Sequence, residues 1–551
     1  MRILLLVSAF NGLSQRVWTS LCASGHDVGI ALADMGEDAI VETVEDVSPD
    51  LIVCPFLKHR VPEKVWTGWP TIIVHPGPVG DRGPSSLDHA ITEGEALWGV
   101  TALQAVEEMD AGPIWATRTF PLPRGVAKSA VYNGPVADAA LECVAEVVAK
   151  AADPTFRPLP QEDAPRPVPH ARTRPLLKRD ERMFDWSWDA GSIAVRVAAA
   201  DSAPGVRTEL RGMVVHAYDA HVGELLERPA RPGTVVGRYE EAVAVATGDG
   251  RALWLGRLKH PRAEGGDGVK QSALRVLGDL DVPELDAPES LREVRYRRIG
   301  PVGVLTVRAH NGAMGTAHCR RVLRALDHAL EQDTSVLVFK GTDEFFSNGI
   351  DLNRVEAAED PAQEAWDNIN AINDVCSALV SDTGQLTIAA YTASAGAGGA
   401  MLGLAADVAL AREGVVLNPF YDIGLFGSEL HTYTLPRRVG VTLAGQLLDD
   451  KQPVDAATAL RLGLVDGVGP RDPAAFDEWL MDQAALYASP EHWRQTYDAK
   501  LRFLQGSRPP AYYAARELAE MAQDIFDDRS GFAAARESFV RKTPRKAAHA
   551  A

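Results

Sequence analysis

Residues 71–84 read TIIVHPGPVGDRGP, a short apolar run that leads into a histidine and a turn rich in proline and glycine. Around them, residues 1 to about 170 alternate short β-branched or leucine-rich runs, as at 3–7 and 51–54, with amphipathic stretches such as 14–24. This alternation is typical of βαβ units, which build a mostly parallel sheet with helices on both faces. We therefore predict a doubly wound α/β domain at the N-terminus.

The turn after the apolar run holds a candidate catalytic histidine, His75. In an open α/β sheet, ligands and catalytic groups collect at the carboxyl ends of the strands, which is where His75 falls. A later strand-like run, 101–106, ends in a turn that presents Asp110. An imidazole and a carboxylate on neighbouring strand ends can form a general acid/base pair. Taken alone, the pattern also allows a plainer interpretation, in which His75 packs under a turn and Asp110 caps one.

Four further regions follow. A proline-rich passage, 158–175, interrupts every period and is predicted to be a linker. Residues 171–260 hold one helical stretch and several short strands separated by glycine and proline, a pattern that favours a small β-barrel. A second polar tract, 261–292, is predicted to be a linker with room for a short helix at 274–280. From 293 to 545 the chain resumes an α/β alternation and ends in a run of helical patterns.

Composition narrows the range of partners and compartments. The 551-residue chain carries a net charge of −19, which repels polyanions and argues against nucleic acids and anionic membranes as partners. No apolar run approaches the length needed to span a membrane. The five cysteines are far apart and form no metal-ligand cluster with the histidines. We therefore expect reduced, mostly buried thiols, no metal site and a cytoplasmic location.

Two glycine turns mark the C-terminal region. Residues 346–352 read FSNGIDL after a predicted strand, and 396–401 read GAGGAM at the start of a predicted helix. Two such turns can each aim a backbone N–H at one point, and the helix N-terminus adds positive potential, which together make an oxyanion hole for a thioester carbonyl. Close helix packing on small residues is the alternative. A nucleotide-phosphate loop is disfavoured, because neither stretch completes a GxGxxG or GxxxxGK motif.

The N-terminal half resembles the folate-dependent formyltransferases, such as methionyl-tRNA formyltransferase. The likeness rests on His75-Pro76-Gly77-Pro78, on Arg82-Gly83-Pro84, on the run from Gly99 to Ile114, and on the barrel segments FDWS at 184–187 and PGTVVG at 232–237. The resemblance implies a formyltransferase-like domain over 1–170 and that family's C-terminal, OB-like barrel over 171–260.

This resemblance implies a folate chemistry. His75 would polarise the formyl group of 10-formyltetrahydrofolate and Asp110 would relay protons, with Arg82 and Gly83 in the cofactor site. The family's usual asparagine two residues before the histidine is Ile73 here. Loss of one such oxyanion donor costs about 3 kcal/mol in other acyl-transfer enzymes. Either a thiol acceptor needs less help, or another donor substitutes.

The region from 293 to 545 is similar to the enoyl-CoA hydratase/isomerase (crotonase) family, an α/β spiral fold. Beside the two glycine turns, LPRRVG at 435–440 and the spacing of apolar residues and glycine over 456–465 match its later signatures. The resemblance implies that the N–H groups of Ile350 and Gly398 form the oxyanion hole for a coenzyme A thioester. The further coenzyme-binding positions it implies are Asn348, Gly349, Asp351 and Gly399.

The usual catalytic pair of the hydratases is absent. Met401 and Phe420 stand where that family carries two glutamates, so water addition to a double bond is disfavoured. The loop GSELHTY at 427–433 instead brings in Glu429, His431 and Tyr433, with Tyr421 nearby. Each of these could be an ordinary surface residue. As a cluster beside a predicted thioester site they are candidates for a relocated acid/base set, with Glu429 or Tyr433 for proton transfer and Tyr421 as an orienting hydroxyl.

A formyltransferase-like half fused to a modified crotonase-like half is similar to the HypX/HoxX hydrogenase maturation factors. That likeness implies transfer of a formyl group from 10-formyltetrahydrofolate to coenzyme A, followed by decarbonylation of formyl-CoA to carbon monoxide. The thioester would have to pass between the sites shielded from water. Partners would be the small-molecule substrates and other maturation proteins or the hydrogenase large subunit. A formyl-CoA or formyl-folate hydrolase and a non-catalytic CoA-binding scaffold remain alternatives, whereas the acidic charge disfavours a formyl-tRNA transferase.

Overall fold

A computed structural model describes residues 1–381, 384–419 and 422–543 of the chain. These residues form two compact units. The N-terminal unit comprises Met1–Gly266 and Ser272–Leu291, and the C-terminal unit comprises Asp267–Gln271 and the described residues from Arg292 onward. Within the described residues, no helix is both long and apolar enough to cross a bilayer.

The first sheet of the N-terminal unit is mostly parallel, as predicted. Its order is β2-β1-β3-β4-β5-β6; the first four strands run parallel, and β5 and β6 are antiparallel. The strands are β1 (Arg2–Val7), β2 (Asp27–Leu32), β3 (Leu51–Cys54), β4 (Thr71–His75), β5 (Leu97–Gln104) and β6 (Ile114–Pro121). The helices are α1 (Gly12–Ala23), α2 (Glu37–Val47), α3 (Glu63–Gly68), α4 (Ser86–Glu93), α5 (Lys128–Val131) and α6 (Ala137–Ala151).

Helices cover both faces of this sheet. Apolar residues of α1 and α6 share one buried cluster with one face of the central strands, and those of α2 and α3 share another cluster with the opposite face. Strand β3 is buried along its whole length, which explains its continuous apolar run. The doubly wound class is therefore confirmed. His75 ends β4, where the sheet changes from parallel to antiparallel pairing.

The second part of the N-terminal unit is an antiparallel sheet. Its strands run in the order β7-β8-β11-β10-β9, and among the described residues β7 and β9 do not pair, which is the partly open form of a small barrel. The elements are β7 (Val206–Leu210), β8 (Met213–Leu225), β9 (Val235–Tyr239), β10 (Ala242–Ala246), β11 (Arg251–Lys259), α7 (Arg179–Arg182), α8 (Ala190–Ala199) and α9 (Ala273–Leu277). In the sequence, one boundary between the two units falls within strand β12 (Lys270–Ser272).

The tract expected to be a linker, 261–292, carries ordered packing. Helix α9 forms inside it, and Ala273 and Leu277 are buried in the same core as strands β7 to β11. Ala287 and Leu291 are buried on the other side of that sheet. Because the tract is mostly polar, the sequence did not indicate that these few apolar residues are buried.

The C-terminal unit has a six-stranded sheet in the order β13-β14-β15-β16-β18-β21, parallel from β14 onward, and a small sheet β17-β19-β20. The strands are β13 (Val294–Ile299), β14 (Val302–Val307), β15 (Val336–Lys340), β16 (Leu386–Tyr391), β17 (Ala395–Gly396), β18 (Val408–Arg412), β19 (Val416–Asn418), β20 (Val454–Asp455) and β21 (Gly467–Gly469). Crossover helices join the parallel strands, as the α/β alternation predicts.

Eleven helices belong to the described part of this unit. They are α10 (Thr316–Leu330), α11 (Leu352–Glu356), α12 (Pro361–Val380), α13 (Gly398–Leu404), α14 (His431–Val439), α15 (Val441–Asp450), α16 (Ala456–Leu462), α17 (Pro473–Tyr487), α18 (Pro490–Gly506), α19 (Pro510–Phe526) and α20 (Phe532–Arg541). The helical end is as predicted, and α19 packs against both α12 and α14. The five cysteines are free, and four of them are buried.

Candidate active sites

The first candidate site is built around His75, at the end of β4. The imidazole is buried, and both of its nitrogens face carboxylates. Nε2 lies 3.0 Å from Asp81 Oδ2, and Nδ1 lies 3.5 Å from Asp110 Oδ2. The structure therefore brings together the two residues that the sequence analysis paired, and it adds a third, Asp81.

A strained turn presents Asp110. Its backbone has φ of +53°, in the left-handed region that non-glycine residues seldom adopt. The main-chain N–H of Gly83 donates to Asp110 Oδ2 at 3.0 Å, and the Gln161 amide donates to the Asp110 carbonyl at 2.8 Å. Strain that neighbouring contacts hold in place is frequent at functional sites. These contacts fix the carboxylate toward His75.

The two carboxylates set the charge of the histidine. Burial by itself lowers the pKa of His75, because a low-dielectric environment disfavours the cation. The hydrogen bond to Asp81 and the charges of Asp110 and Asp81 outweigh burial, so the pKa of His75 is raised above its ordinary value. The two carboxylates therefore favour the protonated form of the His75 imidazole.

The predicted linker 158–175 is a strap across this site. Its Leu159 pairs in both directions with the backbone of Ile114, and the Arg174 N–H donates to the Arg82 carbonyl at 2.9 Å. Arg82 itself is held by Glu108 at 2.8 Å and by Gln161 at 3.1 Å. We refer to residues 158–175 as the strap.

Sequence reasoning missed Asp81, Gln161 and Arg174. Asp81 lies inside the quoted 71–84 motif, so its position was the available signal. Gln161 and Arg174 lie in the strap, a passage without periodicity, so the sequence offered no signal for them. Ile73, on β4, packs with an apolar cluster and offers no side-chain donor.

The second candidate site lies where the two glycine turns of the C-terminal unit meet. Gly349 has φ of +77°, and a Cβ built on it would lie 3.4 Å from the Gly398 nitrogen. Ala397 adopts φ +44° and ψ −122°, and its N–H donates to the Asn418 carbonyl at 2.8 Å. Within residues 1–381, 384–419 and 422–543, the N–H groups of Ile350 and Gly398 donate no hydrogen bond. They are available to a ligand oxygen.

The other residues expected to contact the coenzyme shape these turns. Asn348 donates its side-chain amide to the Asn311 carbonyl at 2.9 Å. Asp351 caps α11 by accepting two backbone N–H groups at 3.0 and 3.1 Å. A Cβ on Gly399 would lie 2.1 Å from the Ser347 carbonyl oxygen, so only glycine fits there. Their side chains are committed to local structure.

Glu429 lies against the second glycine turn. A Cβ on Gly398 would lie 2.2 Å from Glu429 Oε1, so the carboxylate occupies the space beside that turn. Glu429 is only 1% exposed, and both it and Leu430 adopt left-handed backbone angles of +59° and +56°. The Asn373 side chain on α12 accepts the Glu429 N–H at 2.7 Å. A buried carboxylate is thus held beside the predicted oxyanion hole.

A second buried glutamate, Glu517 on α19, adjoins this loop. Its Oε1 accepts the Thr432 N–H at 2.7 Å and the Thr432 hydroxyl at 2.5 Å. Burial, with a smaller contribution from the charge of Glu429, raises the pKa of Glu517 to about 7, against the hydrogen bonds from Thr432, which lower it. His431 Nδ1 lies 3.4 Å from Glu517 Oε1 and donates to the Ser428 carbonyl at 3.0 Å. Burial lowers the pKa of His431 to about 4, so this histidine is neutral at physiological pH.

Of the two candidate tyrosines, the structure describes Tyr433. The Tyr433 ring packs between Phe503 and Tyr513, with ring centroids 5.1 and 5.0 Å away. Burial raises the pKa of Tyr433, and the charged groups that act on it are Arg437 and Asp407. Tyr421, together with Phe420, lies outside the described residues.

The two sites differ in what they can do. The first offers an imidazole whose protonated form is favoured and a carboxylate, the groups that polarise a carbonyl and move a proton. The second offers two backbone N–H groups and a buried carboxylate, a combination that stabilises an oxyanion next to a base. Neither arrangement depends on a nucleophilic side chain.

Comparison with known proteins supports the family resemblance of each half of the chain. A family model described as enoyl-CoA hydratase/isomerase matches residues 303–544, and one described as formyl transferase, C-terminal domain, matches residues 176–266. Methionyl-tRNA formyltransferase from Roseiflexus castenholzii is 33% identical over 36% of this chain and 62% of its own length.

Two relatives match almost the whole chain. The hydrogenase maturation factor HoxX from Bradyrhizobium diazoefficiens is 38% identical, over 99% of this chain and 95% of its own length. A crystal structure of HypX from Aquifex aeolicus in complex with tetrahydrofolic acid is 36% identical and has a TM-score of 0.91, covering 99% of this chain and 96% of that one. The likeness extends over both units.

Proposed function

This chain belongs to the HypX/HoxX family of hydrogenase maturation factors, and from that premise we propose that it makes carbon monoxide for a nickel–iron hydrogenase. The substrates would be 10-formyltetrahydrofolate and coenzyme A. The observation that carries the proposal is Glu429, a buried carboxylate held against Gly398 beside two available N–H groups. A base next to an oxyanion hole is what removal of a formyl proton from a thioester needs.

The first step is formyl transfer at His75. The thiol sulfur of coenzyme A attacks the formyl carbon, the bond from that carbon to the folate nitrogen breaks, and the thiol proton ends on that nitrogen. His75 would donate to the formyl oxygen as negative charge develops there, and Asp110, 3.5 Å from Nδ1, would relay the proton. The folate complex of a 36% identical relative supports this choice of donor.

The second step is decarbonylation in the C-terminal unit. The N–H groups of Ile350 and Gly398 would hold the formyl oxygen of the thioester. Glu429 takes the formyl proton, the carbon–sulfur bond breaks with its electron pair on sulfur, and carbon monoxide leaves. The thiolate then recovers the proton from Glu429. The atoms and electrons balance without an oxidant or a reductant.

Among the candidates for that proton we choose Glu429. The support is its contact with Gly398, whereas the ring of Tyr433 lies between Phe503 and Tyr513. Tyr421 keeps its proposed role as an orienting hydroxyl. Glu517 adds a second buried acid whose proton can neutralise the pair when Glu429 is ionised.

A product assay tests the proposal. Purified protein receives 10-formyltetrahydrofolate with a labelled formyl carbon and coenzyme A, and a reduced haem protein traps carbon monoxide. We expect one labelled carbon monoxide for each tetrahydrofolate released, with coenzyme A regenerated. Formate in place of carbon monoxide would identify a hydrolase instead. Absence of folate turnover would identify a binding scaffold.

The product and the free cysteines are relevant to where in the cell the reaction takes place and to which proteins receive the product. We propose that the carbon monoxide is handed to the hydrogenase large subunit or to other maturation proteins, in the cytoplasm. The five free cysteines are compatible with a reducing compartment.

A further inference from the structure

The strap connects to both catalytic loops of the N-terminal unit through buried side chains. Gln161 is 6% exposed, and its amide donates to the carbonyls of Asp110 and Gly112 at 2.8 and 2.9 Å. Arg174 is 5% exposed, and it donates to Asp81 Oδ1 at 3.0 Å. A passage that only linked two domains would not place two polar side chains under a candidate site.

Arg174 begins a continuous chain of buried polar groups that ends at the histidine. Asp81 accepts from Arg174 through Oδ1 and faces His75 Nε2 at 3.0 Å through Oδ2. On its other side, Arg174 donates to Glu93 Oε2 at 2.6 Å. A buried carboxylate that has an arginine partner keeps its negative charge, because the guanidinium compensates the lost hydration.

Gly77 makes room for this chain. A Cβ at that position would lie 2.4 Å from Asp81 Oδ2 and 2.4 Å from His75 Nε2. The turn is therefore shaped so that the carboxylate and the imidazole can meet. Gly77 is therefore needed because a side chain at this position would collide with both Asp81 and the proposed catalytic residue His75.

The protonation state of His75 follows from its two partners. A neutral imidazole carries one N–H and one lone pair, so one of its nitrogens would turn a lone pair toward a carboxylate oxygen. An imidazolium avoids that repulsion. At Nδ1 the distance to Asp110, 3.5 Å, exceeds a normal hydrogen bond, so this N–H can turn to a formyl oxygen without giving up a strong contact.

We infer that Asp81 and Arg174 are positioning residues that keep His75 as an imidazolium, and that its charge replaces the amide donor missing at Ile73. Ile73 lies on β4 two residues before His75, where formyltransferases carry the amide. The chain of charges supplies the oxyanion stabilisation by another route. The inference rests on the proposed formyl transfer at His75. The charged groups around the relay are Asp81, Asp110, Arg174, Glu93 and Glu95.

The test is Asp81→Asn, which keeps the shape of the side chain and removes its charge. Titration of the His75 imidazole is followed by NMR with isotope-labelled histidine, assigned with His75→Asn. We expect its midpoint to fall by about one pH unit or more, and the alkaline limb of the formyl-transfer rate to move down with it. The rate at alkaline pH should fall about tenfold, with KM for the folate within about twofold.

Matched variants separate charge from structure. Arg174→Gln should shift the titration in the same direction, and Arg174→Lys should restore part of the shift. Arg172→Gln is the control, because Arg172 lies on the same strap and pairs with the same Glu93 but is exposed and does not contact Asp81. These three variants keep the inference testable even where Asp81→Asn lowers the yield of folded protein.

Two negative outcomes are distinct. An unchanged His75 titration in both Asp81→Asn and Arg174→Gln would overturn the relay, whatever the enzyme produces. A wild-type protein that transfers no formyl group to coenzyme A would overturn the proposed function. In that case the NMR titration would still report whether the relay charges His75.

Discussion

Each unit buries a histidine beside carboxylates, and the pKa values of the two histidines are shifted in opposite directions. Asp81 and Asp110 raise the pKa of His75 despite its burial. In the C-terminal unit, burial prevails and lowers the pKa of His431 to about 4. Similar residue types therefore favour the cation in one place and the neutral ring in the other.

The groups around each histidine account for the opposite shifts of the two pKa values. Arg174 lies 3.0 Å from Asp81 Oδ1, on the side away from His75, and its positive charge compensates that carboxylate. In the C-terminal site, the Nδ1–H of His431 donates a hydrogen bond to the Ser428 carbonyl. Its acidic neighbour Glu517 has a pKa raised to about 7, so near neutrality that group is partly protonated and attracts a cation less. The two sites therefore differ in whether an arginine compensates the carboxylate next to the histidine.

The largest effects are expected from two variants, each of which should abolish the reaction of one unit and spare that of the other. We expect His75→Asn to lower formyl transfer from the folate by about a thousandfold and to spare carbon monoxide release from supplied formyl-CoA. Glu429→Gln should do the reverse by a similar factor, because the amide cannot accept the formyl proton. The two rates are measured separately, as tetrahydrofolate released and as carbon monoxide trapped.

Complementation provides the control. A mixture of the two variants with both substrates shows whether free formyl-CoA made by one protein can serve the other. Loss of both rates in either single variant would contradict the division into two chemistries, and it would favour one shared site.

Linear motifs explain what the sequence could predict. His75 ends an apolar strand run, and Gly349 and Gly398 sit in short glycine turns, so periodicity and spacing locate them. The doubly wound sheet, the antiparallel barrel and the helical end follow from the same patterns and are confirmed.

The missing residues lie where a single sequence is least informative. Arg174 comes from a proline-rich passage without periodicity, and its burial depends on Asp81 and Glu93, which are remote in sequence. Glu517 carried a weak signal. It is four residues from Tyr513 and from Met521, on the face of α19 that packs inward, where a carboxylate is out of place unless it has partners.

A smaller effect is expected when the second glycine turn alone is altered. The Cβ of Gly398→Ala would lie 2.2 Å from Glu429 Oε1, so the carboxylate must move. We expect release of carbon monoxide from formyl-CoA to fall about a hundredfold, since displacement of a catalytic group by about 1 Å has effects of that size. Formyl transfer should be unchanged.

Gly445→Ala is the matched control for that substitution. Gly445 lies within α15, and nothing stands within 4 Å of a Cβ built on it. We expect normal activity and up to about 1 kcal/mol of added stability, because alanine favours a helix interior. Equal losses in both variants would show that any added methyl group disturbs this unit, and the contact between Glu429 and Gly398 would lose its significance.

The smallest expected effect concerns the pH dependence of stability near Glu517. Because burial raises its pKa from 4.5 to about 7, the folded state binds a proton that the unfolded state releases in that range. The stabilisation from this group is therefore complete below about pH 4.5 and is lost as pH rises through about 7, by at most about 3 kcal/mol. Glu517→Gln removes the titration, so the stability of wild type relative to the variant should fall as pH rises through this window. His431 contributes with the opposite sign and at lower pH, because burial lowers its pKa to about 4.

Hydrogen exchange of the α14 and α19 amides measures this change locally, which avoids assigning one unfolding free energy to a chain of two units. Glu520→Gln is the control, because Glu520 lies on the same helix, half-exposed and paired with Arg529. A difference between wild type and Glu517→Gln that stays constant with pH would mean that Glu517 is ionised throughout. The C-terminal site would then hold two buried negative charges beside a neutral histidine, and the contrast with the arginine-compensated pair at His75 would need another cause.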